Sequence, residues 1–219
     1  MEAIGHICSP FAEKFGIPRQ SGLAPAVVSR LELAAAYSHP DFVRGLESFS
    51  HLWLIWGFHH NSSAEVHATV RPPRLGGNVR MGVFATRSPF RPNGLGLSAV
   101  RLLAVEPGAL VLAGADMADG TPVYDIKPYL PYADAIPDAA GGFTASTPRE
   151  LLQVELPEKL PASLPEQWVA ALCEVLAQDP RPAYQDSPER VYHLIFKPYE
   201  VDFAVQDGVL RVLRLRPAP

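Results

Sequence analysis

Phe49 to His60, FSHLWLIWGFHH, is the most hydrophobic run of the chain. It is about a dozen residues long and rich in aromatic and β-branched side chains, which predicts a buried central strand rather than a helix. His51 then falls in the core or at the strand start. His59 and His60 stand where the strand exits, at a sheet edge or rim. Adjacent strand residues face opposite sides, so one metal ion would not take both imidazoles, and no third ligand lies at a suitable spacing. Hydrogen-bonding roles at a pocket mouth are expected, against plain surface histidines as the alternative, and no metal site is expected.

The composition suits a strand-rich fold around that run. The chain has 219 residues, 47% of them apolar, enough for one medium domain with an appendage or for two small domains. With 23 Pro, 16 Gly and mostly short apolar runs, turns and strands should outweigh helix. Cys8 and Cys173 lie far apart without CxxC spacing, which argues against a disulfide framework or a zinc site and for a reducing, cytoplasmic home. The N-terminus does not read as a signal peptide, and no stretch approaches the ~18–20 apolar residues that span a bilayer. A soluble protein is expected.

Upstream of the aromatic run, Ile4 to Cys8 reads as a short strand ended by Ser9-Pro10. Glu13 to Pro25, EKFGIPRQSGLAP, contains Gly16, Pro18, Gly22 and Pro25 and is a loop carrying Lys14, Arg19 and Gln20. A loop of this length is more often functional than idle. Val27 to Leu33 alternates like a half-buried strand. Pro40 to Gly45 reads as a turn or single helical turn closed by Gly45.

Downstream, Val70 to Arg101 holds six arginines (Arg71, Arg74, Arg80, Arg87, Arg91, Arg101) and no Asp or Glu, in a chain of net charge −4. Such a local excess attracts and positions an anionic partner. These arginines alternate with Pro and Gly, unlike the Glu and Lys mixture of an ordinary solvated face. Met81 to Thr86 and Leu95 to Leu103 read as strands joined by RSPFRPNGLG, where Asn93-Gly94 supplies the positive-φ position. A hairpin needs only Asn-Gly; the additional Arg-Ser-Pro-Phe-Arg-Pro implies a shaped wall. Ala109 to Ala113 is the next strand.

In GADMADGTPVYDIKPYLPYAD, Asp116, Asp119, Asp125 and Asp134 stand among turn signals at Asp119-Gly120, Pro122, Pro128 and Pro131. Asp-x-x-Asp-Gly lacks the full register and closing Glu of a calcium loop. Ala133 to Pro148 is an irregular connector, so units at 1–149 and 150–219 are expected. In the second, Leu164 to Ala177 has helical spacing stopped by Asp179-Pro180, and Val191–Phe196, Tyr199–Val205 and Val209–Leu215 read as strands, the last two a hairpin around Asp207-Gly208. This is a small α+β unit, given a basic end by Arg211, Arg214 and Arg216.

Five of these stretches together, IGHICSPFAEKFGIPRQSGL, GLESFSHLWLIWGFHH, VRPPRLGGNVRMGVFATRSPFRPNGLGLS, DMADGTPVYDIKPYLP and LAQDPRPAY, resemble the TsaA-like (YaeB or TrmO-like) family in order and over most of the chain. The resemblance implies a mainly β fold, a small β-barrel domain with a small α+β C-terminal domain. It implies methylation of N6 of threonylcarbamoyladenosine at tRNA position 37, with S-adenosylmethionine (SAM) as cofactor and a homodimer as the working form. The implied cofactor site is Pro18, Arg19 and Gln20; His59 and His60; Arg87; Leu97; and Asp116, Met117, Ala118 and Asp119.

Methyl transfer from a sulfonium is an in-line displacement, so positioning the nucleophilic nitrogen about 3–3.5 Å from the methyl carbon does most of the work. A carboxylate touching sulfur would favour the ground state, so Asp116 or Asp119 should hold ribose hydroxyls or the amino group instead. The attacked nitrogen carries a hydrogen, and His59, Tyr124 and Asp125 are the candidates to orient it or take the proton. Arg87 is assigned to the cofactor or the modified nucleoside. Arg71, Arg74, Arg80, Arg91, Arg211 and Arg214 are assigned to tRNA phosphates. The rival readings are a non-catalytic RNA-binding or SAM-sensing module and a methyltransferase acting on a small anionic metabolite.

Overall fold

The aromatic run is the central strand of a barrel. The computed structural model describes residues 1–61, 65–72, 75, 79–146, 150–161, 164–182, 187 and 189–218. Its strands are β1 (Gly5–Cys8), β2 (Val28–Leu33), β3 (His51–Gly57), β4 (Thr69–Val70), β5 (Met81–Gly82), β6 (Leu95–Glu106), β7 (Ala109–Ala113), β8 (Pro122–Pro128), β9 (Gln153–Glu155), β10 (Tyr192–Phe196), β11 (Tyr199–Gln206) and β12 (Val209–Pro217). The helices are α1 (Pro131–Asp134) and α2 (Glu166–Ala177). The order β1-β2-β7-β6-β3-β8 closes on itself, with every neighbour antiparallel.

Strand β3 is hydrogen-bonded on both sides, to β6 and β8. Leu52, Leu54 and Trp56 point into the barrel and are buried, while Trp53 and Ile55 face outward and remain half-buried. Both faces are apolar, which is why the sequence shows a continuous hydrophobic run rather than alternation. His51 sits at the exposed strand start.

Strand β8 departs from expectation. Pro122, Pro128 and their neighbours read as turn signals, yet Pro122 to Pro128 is the strand that closes the barrel between β1 and β3. The two prolines occupy its first and last residues, where a missing N–H costs the ladder least. Met81 to Thr86 departs the other way. Only Met81–Gly82 pairs, with Thr69–Val70, and Val83–Ala85 tightens into a 3-10 turn.

The second sheet runs β10-β11-β12-β9, with β9 parallel to β12 and the β11–β12 hairpin turning at Asp207 (φ 49) and Gly208 (φ 77). Helix α2 contributes Ala171, Leu172, Val175 and Leu176 to the core of that sheet. So does the N-terminal loop: Phe11, Ala24 and Val27 are fully buried there, and Phe15 and Ile17 pack against them. The barrel has its own core around Ile7, Leu31, Leu52, Leu54, Val100, Leu112 and Val123. The Glu13–Pro25 loop is therefore held from two sides. Gly22 donates its N–H to Gly114 O at 2.8 Å on the barrel side. On the other, a Cβ at Gly16 (φ +88) would lie 2.3 Å from a methyl carbon of Leu194. Among the described residues no helix is long and apolar enough to cross a membrane.

Candidate functional site

A broad cleft of about 2210 Å3 runs from the barrel mouth across the outer face of β3 and β6. That is more than twice the upper size of a typical small-molecule pocket, so a cofactor would leave room for part of a larger substrate. The Glu13–Pro25 loop, the end of β3, wall residues from Ala68 to Pro72 and from Arg80 to Leu97, and the segment after α2 all line it.

The loop brings Pro18, buried, with Arg19 exposed and Gln20 beside it. Arg87 Nη1 donates to Gln20 Oε1, tying the loop to the turn after β5. Arg91 turns back into its own loop, donating to the backbone oxygens of Ser88, Val83 and Thr86. It braces the wall, helped by Asn93 (φ 67) and Gly94 (φ 57), which take the positive-φ positions expected of them. Arg71 and Arg80 are exposed and line the cleft. Arg74 lies outside the described residues.

His59 and His60 depart from the strand geometry assumed for them. They follow β3 in a 3-10 turn, and their rings lie 3.9 Å apart rather than on opposite faces. Among the described residues no three His, Cys, Asp or Glu side chains gather at metal-binding spacing. Thr121 donates its hydroxyl proton to Ala118 O at 2.8 Å, so its 3.3 Å contact with His59 Nδ1 has the histidine as donor. This hydrogen-bond pattern assigns the bare ring nitrogen to Nε2. Burial, and then the neighbouring His60, push His59 below its ordinary pKa of 6.5, against a hydrogen bond to the Asp119 backbone, and favour the neutral ring.

The Asp116–Asp119 turn divides in two. Asp116 and Ala118 line the cleft, whereas Met117 is a core side chain, 1% exposed. Asp119 accepts from Ser9 N at 3.0 Å and from Lys197 Nζ at 2.7 Å, joining the barrel to the second sheet. Burial would raise its pKa, but the Lys197 ammonium and the Ser9 N–H outweigh it and hold the carboxyl below the ordinary value. Burial dominates at Asp116 and pushes that carboxyl up, against the Ser98 hydroxyl and the Arg87 charge.

Neither Tyr124 nor Asp125 lines the cleft. The Tyr124 ring packs over Gly57, where a Cβ would lie 2.6 Å from its hydroxyl. Asp125 pairs with Lys127 at 3.0 Å. Leu97 is 56% exposed on the outer face, directly across from Ile55, and Phe84 is 81% exposed; both line the cleft. The basic end of the second sheet is largely neutralised: Arg211 pairs with Glu155 at 2.9 Å, Arg216 pairs with Glu200, and Arg214 stands opposite Asp202. Sequence reading assigned no role to Trp56, Gly96, Ser98, Thr121 or the Asp179–Arg181 pair, whose guanidinium Nε sits 2.9 Å from the carboxylate. All of them lie in the stretches that carry the family resemblance.

The chain matches the family models for the tRNA-methyltransferase O N-terminal domain over residues 6–135 and the TrmO C-terminal domain over 149–218. It is 45% identical to the tRNA (adenine(37)-N6)-methyltransferase of Escherichia coli, covering 99% of this chain and 97% of that protein. A second relative, named a putative S-adenosylmethionine-dependent methyltransferase, from Pseudomonas aeruginosa, is 51% identical over 86% of this chain and 85% of its own length. The crystal structure of TrmO from Pseudomonas aeruginosa superposes with a TM-score of 0.80 at 38% identity, covering 98% of this chain and 97% of that one. With both halves of the chain matched in order and a barrel of the same fold, the chain belongs to the tRNA-methyltransferase O family.

Proposed function

We propose that this protein methylates N6 of the adenosine at position 37 of tRNA, in the form of threonylcarbamoyladenosine, using SAM. The cleft that joins the Pro18–Gln20 loop, Arg87 and half-buried Asp116 carries the reading, and the full-length similarity to named tRNA (adenine(37)-N6)-methyltransferases supports it. The residues present suit the cofactor. Arg87 offers a cation to its carboxylate, Asp116 an acceptor to its hydroxyls or amino group, and Leu97 and Pro18 apolar surface to its base. Arg19, Gln20, His60 and the backbone around Met117, Ala118 and Asp119 complete the enclosure; the Asp119 side chain is already committed to Lys197. SAM supplies the electrophilic methyl group. The protein holds the nucleoside nitrogen in line and receives its proton.

His59 is our choice for that proton, since it lines the cleft, is neutral and has Nε2 bare. Because its pKa lies below 6.5, kcat should stay level as pH falls through 6.5 and decline only below it. His59→Gln should cost about 10²–10⁴-fold in kcat and abolish the acid limb. If Asp125→Asn abolishes that limb and His59→Gln leaves it, Asp125 is the base and His59 is not.

Arg71 and Arg80 are assigned to tRNA phosphates, with Arg74 between them in sequence. Replacing Arg71 or Arg80 by Ala should weaken tRNA binding and reduce the slope of log K against log salt by about 1 each, leaving the SAM dissociation constant unchanged. Arg211→Ala and Arg214→Ala should have smaller effects, because carboxylates already face them, and Arg91→Ala should disturb the wall rather than the salt slope. Loss of SAM binding in the Arg71 and Arg80 variants would contradict the assignment.

We take the working form to be a cytoplasmic homodimer, to which Phe84, 81% exposed at the cleft wall, offers apolar surface; sedimentation equilibrium reads its mass. Mass spectrometry of anticodon-loop nucleosides, after incubation with SAM and tRNA with or without threonylcarbamoylation, tests the function. No transfer to either tRNA would overturn it in favour of an RNA-binding or SAM-sensing module. RNA-independent turnover of SAM would favour a small anionic metabolite as substrate.

A further inference from the structure

We propose that Trp56 and Ser98 are positioning residues for the cofactor, forming a buried relay that presents Asp116 to the cleft as a hydrogen-bond acceptor. This rests on the reading above that Asp116 touches SAM. Trp56 Nε1 lies 2.9 Å from Ser98 Oγ, and Ser98 Oγ lies 2.6 Å from Asp116 Oδ1. An indole N–H only donates, so Ser98 accepts from Trp56. The hydroxyl's one proton then goes to Asp116 Oδ1, which is the acceptor oxygen of an ionised carboxyl.

That direction matters because of where Asp116 sits. A carboxyl buried at a pocket floor tends to keep its proton and would then meet the ligand as a donor. Ser98 from β6, backed by Trp56 from β3, opposes this. The Ser21 backbone N–H from the loop, Arg87 from the wall and the residue's own backbone N–H act the same way. The carboxylate so held suits a hydroxyl or ammonium donor, the chemistry of a ribose diol or an α-amino group.

Sequence and packing supply the relay's seat. At Gly96 a Cβ would fall 2.3 Å from Trp56 Cε2, so only glycine lets the indole lie across β6 and reach Ser98 two residues on. In LGLS, Gly96 is the seat and Ser98 the contact. Leu97 between them points to the outer face, beside Ile55.

Ser98→Ala, Ser98→Thr, Trp56→Phe and Asp116→Asn test the relay through two readouts. One is the SAM dissociation constant by calorimetry from pH 5 to 8. The other is the Asp116 carboxyl titration, followed by carbon-13 NMR in the SAM-free protein. Ser98→Ala should weaken SAM binding at neutral pH about tenfold and move both the carboxyl midpoint and the acid loss of binding to higher pH. Ser98→Thr should restore both, and Trp56→Phe should shift both the same way by less. If Ser98→Ala lowers the melting temperature but leaves both midpoints in place, the role is structural and the relay is overturned. If Asp116→Asn binds SAM like the wild type, the assignment of Asp116 to the cofactor fails, even where the carboxyl titration still answers to Ser98.

Discussion

Phe11→Ala should lower stability by about 3–5 kcal/mol and weaken SAM binding in the same protein, although Phe11 does not line the cleft. Its side chain is 0% exposed, and its ring centroid lies 5.6 Å from that of Phe196. Truncation removes an aromatic anchor from the core of the second sheet, the core against which Phe15 and Ile17 also pack. Those residues lead directly into Pro18, Arg19 and Gln20. A loosened anchor leaves the loop to be ordered by the ligand, which raises the cost of binding. Urea denaturation and calorimetry read the two effects. A stability loss with unchanged SAM affinity would show that the barrel alone, through Gly22 and Gly114, holds the loop.

Asp116→Asn should act in opposite directions on stability and binding. In the native protein burial raises the Asp116 pKa above its ordinary 3.8. A raised carboxyl favours folding only while it is protonated: its contribution is present below the unfolded value and is lost as pH rises through the folded one. Once ionised, the group is thus a stability cost, and an isosteric amide removes it. The melting temperature should rise by a few degrees at pH 7 and this gain should vanish in acid. SAM binding should fall about tenfold to a hundredfold with the loss of a charged acceptor. A lower melting temperature at pH 7 would contradict the account of Asp116 as a strained functional group.

Much of this was legible in the residues. FSHLWLIWGFHH announced a central strand because an uninterrupted apolar run of that length is what a strand covered on both faces requires. PRQ, ATRS and the Asp-x-x-Asp turn were marked by the family resemblance, and the cleft gathers Arg19, Arg87 and Asp116. Strand β8 was hidden because proline reads as punctuation wherever it stands, and only three-dimensional context shows that both prolines cap strand ends. The commitments of side chains were hidden for another reason. Arg91 and Asp119 carry the charges a binding site needs, but charge alone does not tell that backbone carbonyls or Lys197 already use them. Asp125 is paired with Lys127 two residues on, a partnership that places both on the outer face of one strand.

The shared core of loop and second sheet also sets an order of events during synthesis. The six barrel strands are complete once Pro128 has left the ribosome. The loop that carries Pro18 to Gln20 still waits for partners far downstream, Glu174 and Gln178 on or next to α2, the latter 155 positions from its partner Leu23, and Leu194 in β10. Contacts so distant along the chain form late. A nascent barrel therefore stands with the Pro18–Gln20 loop short of its contacts to α2 and β10, and these close only once the second sheet has been made.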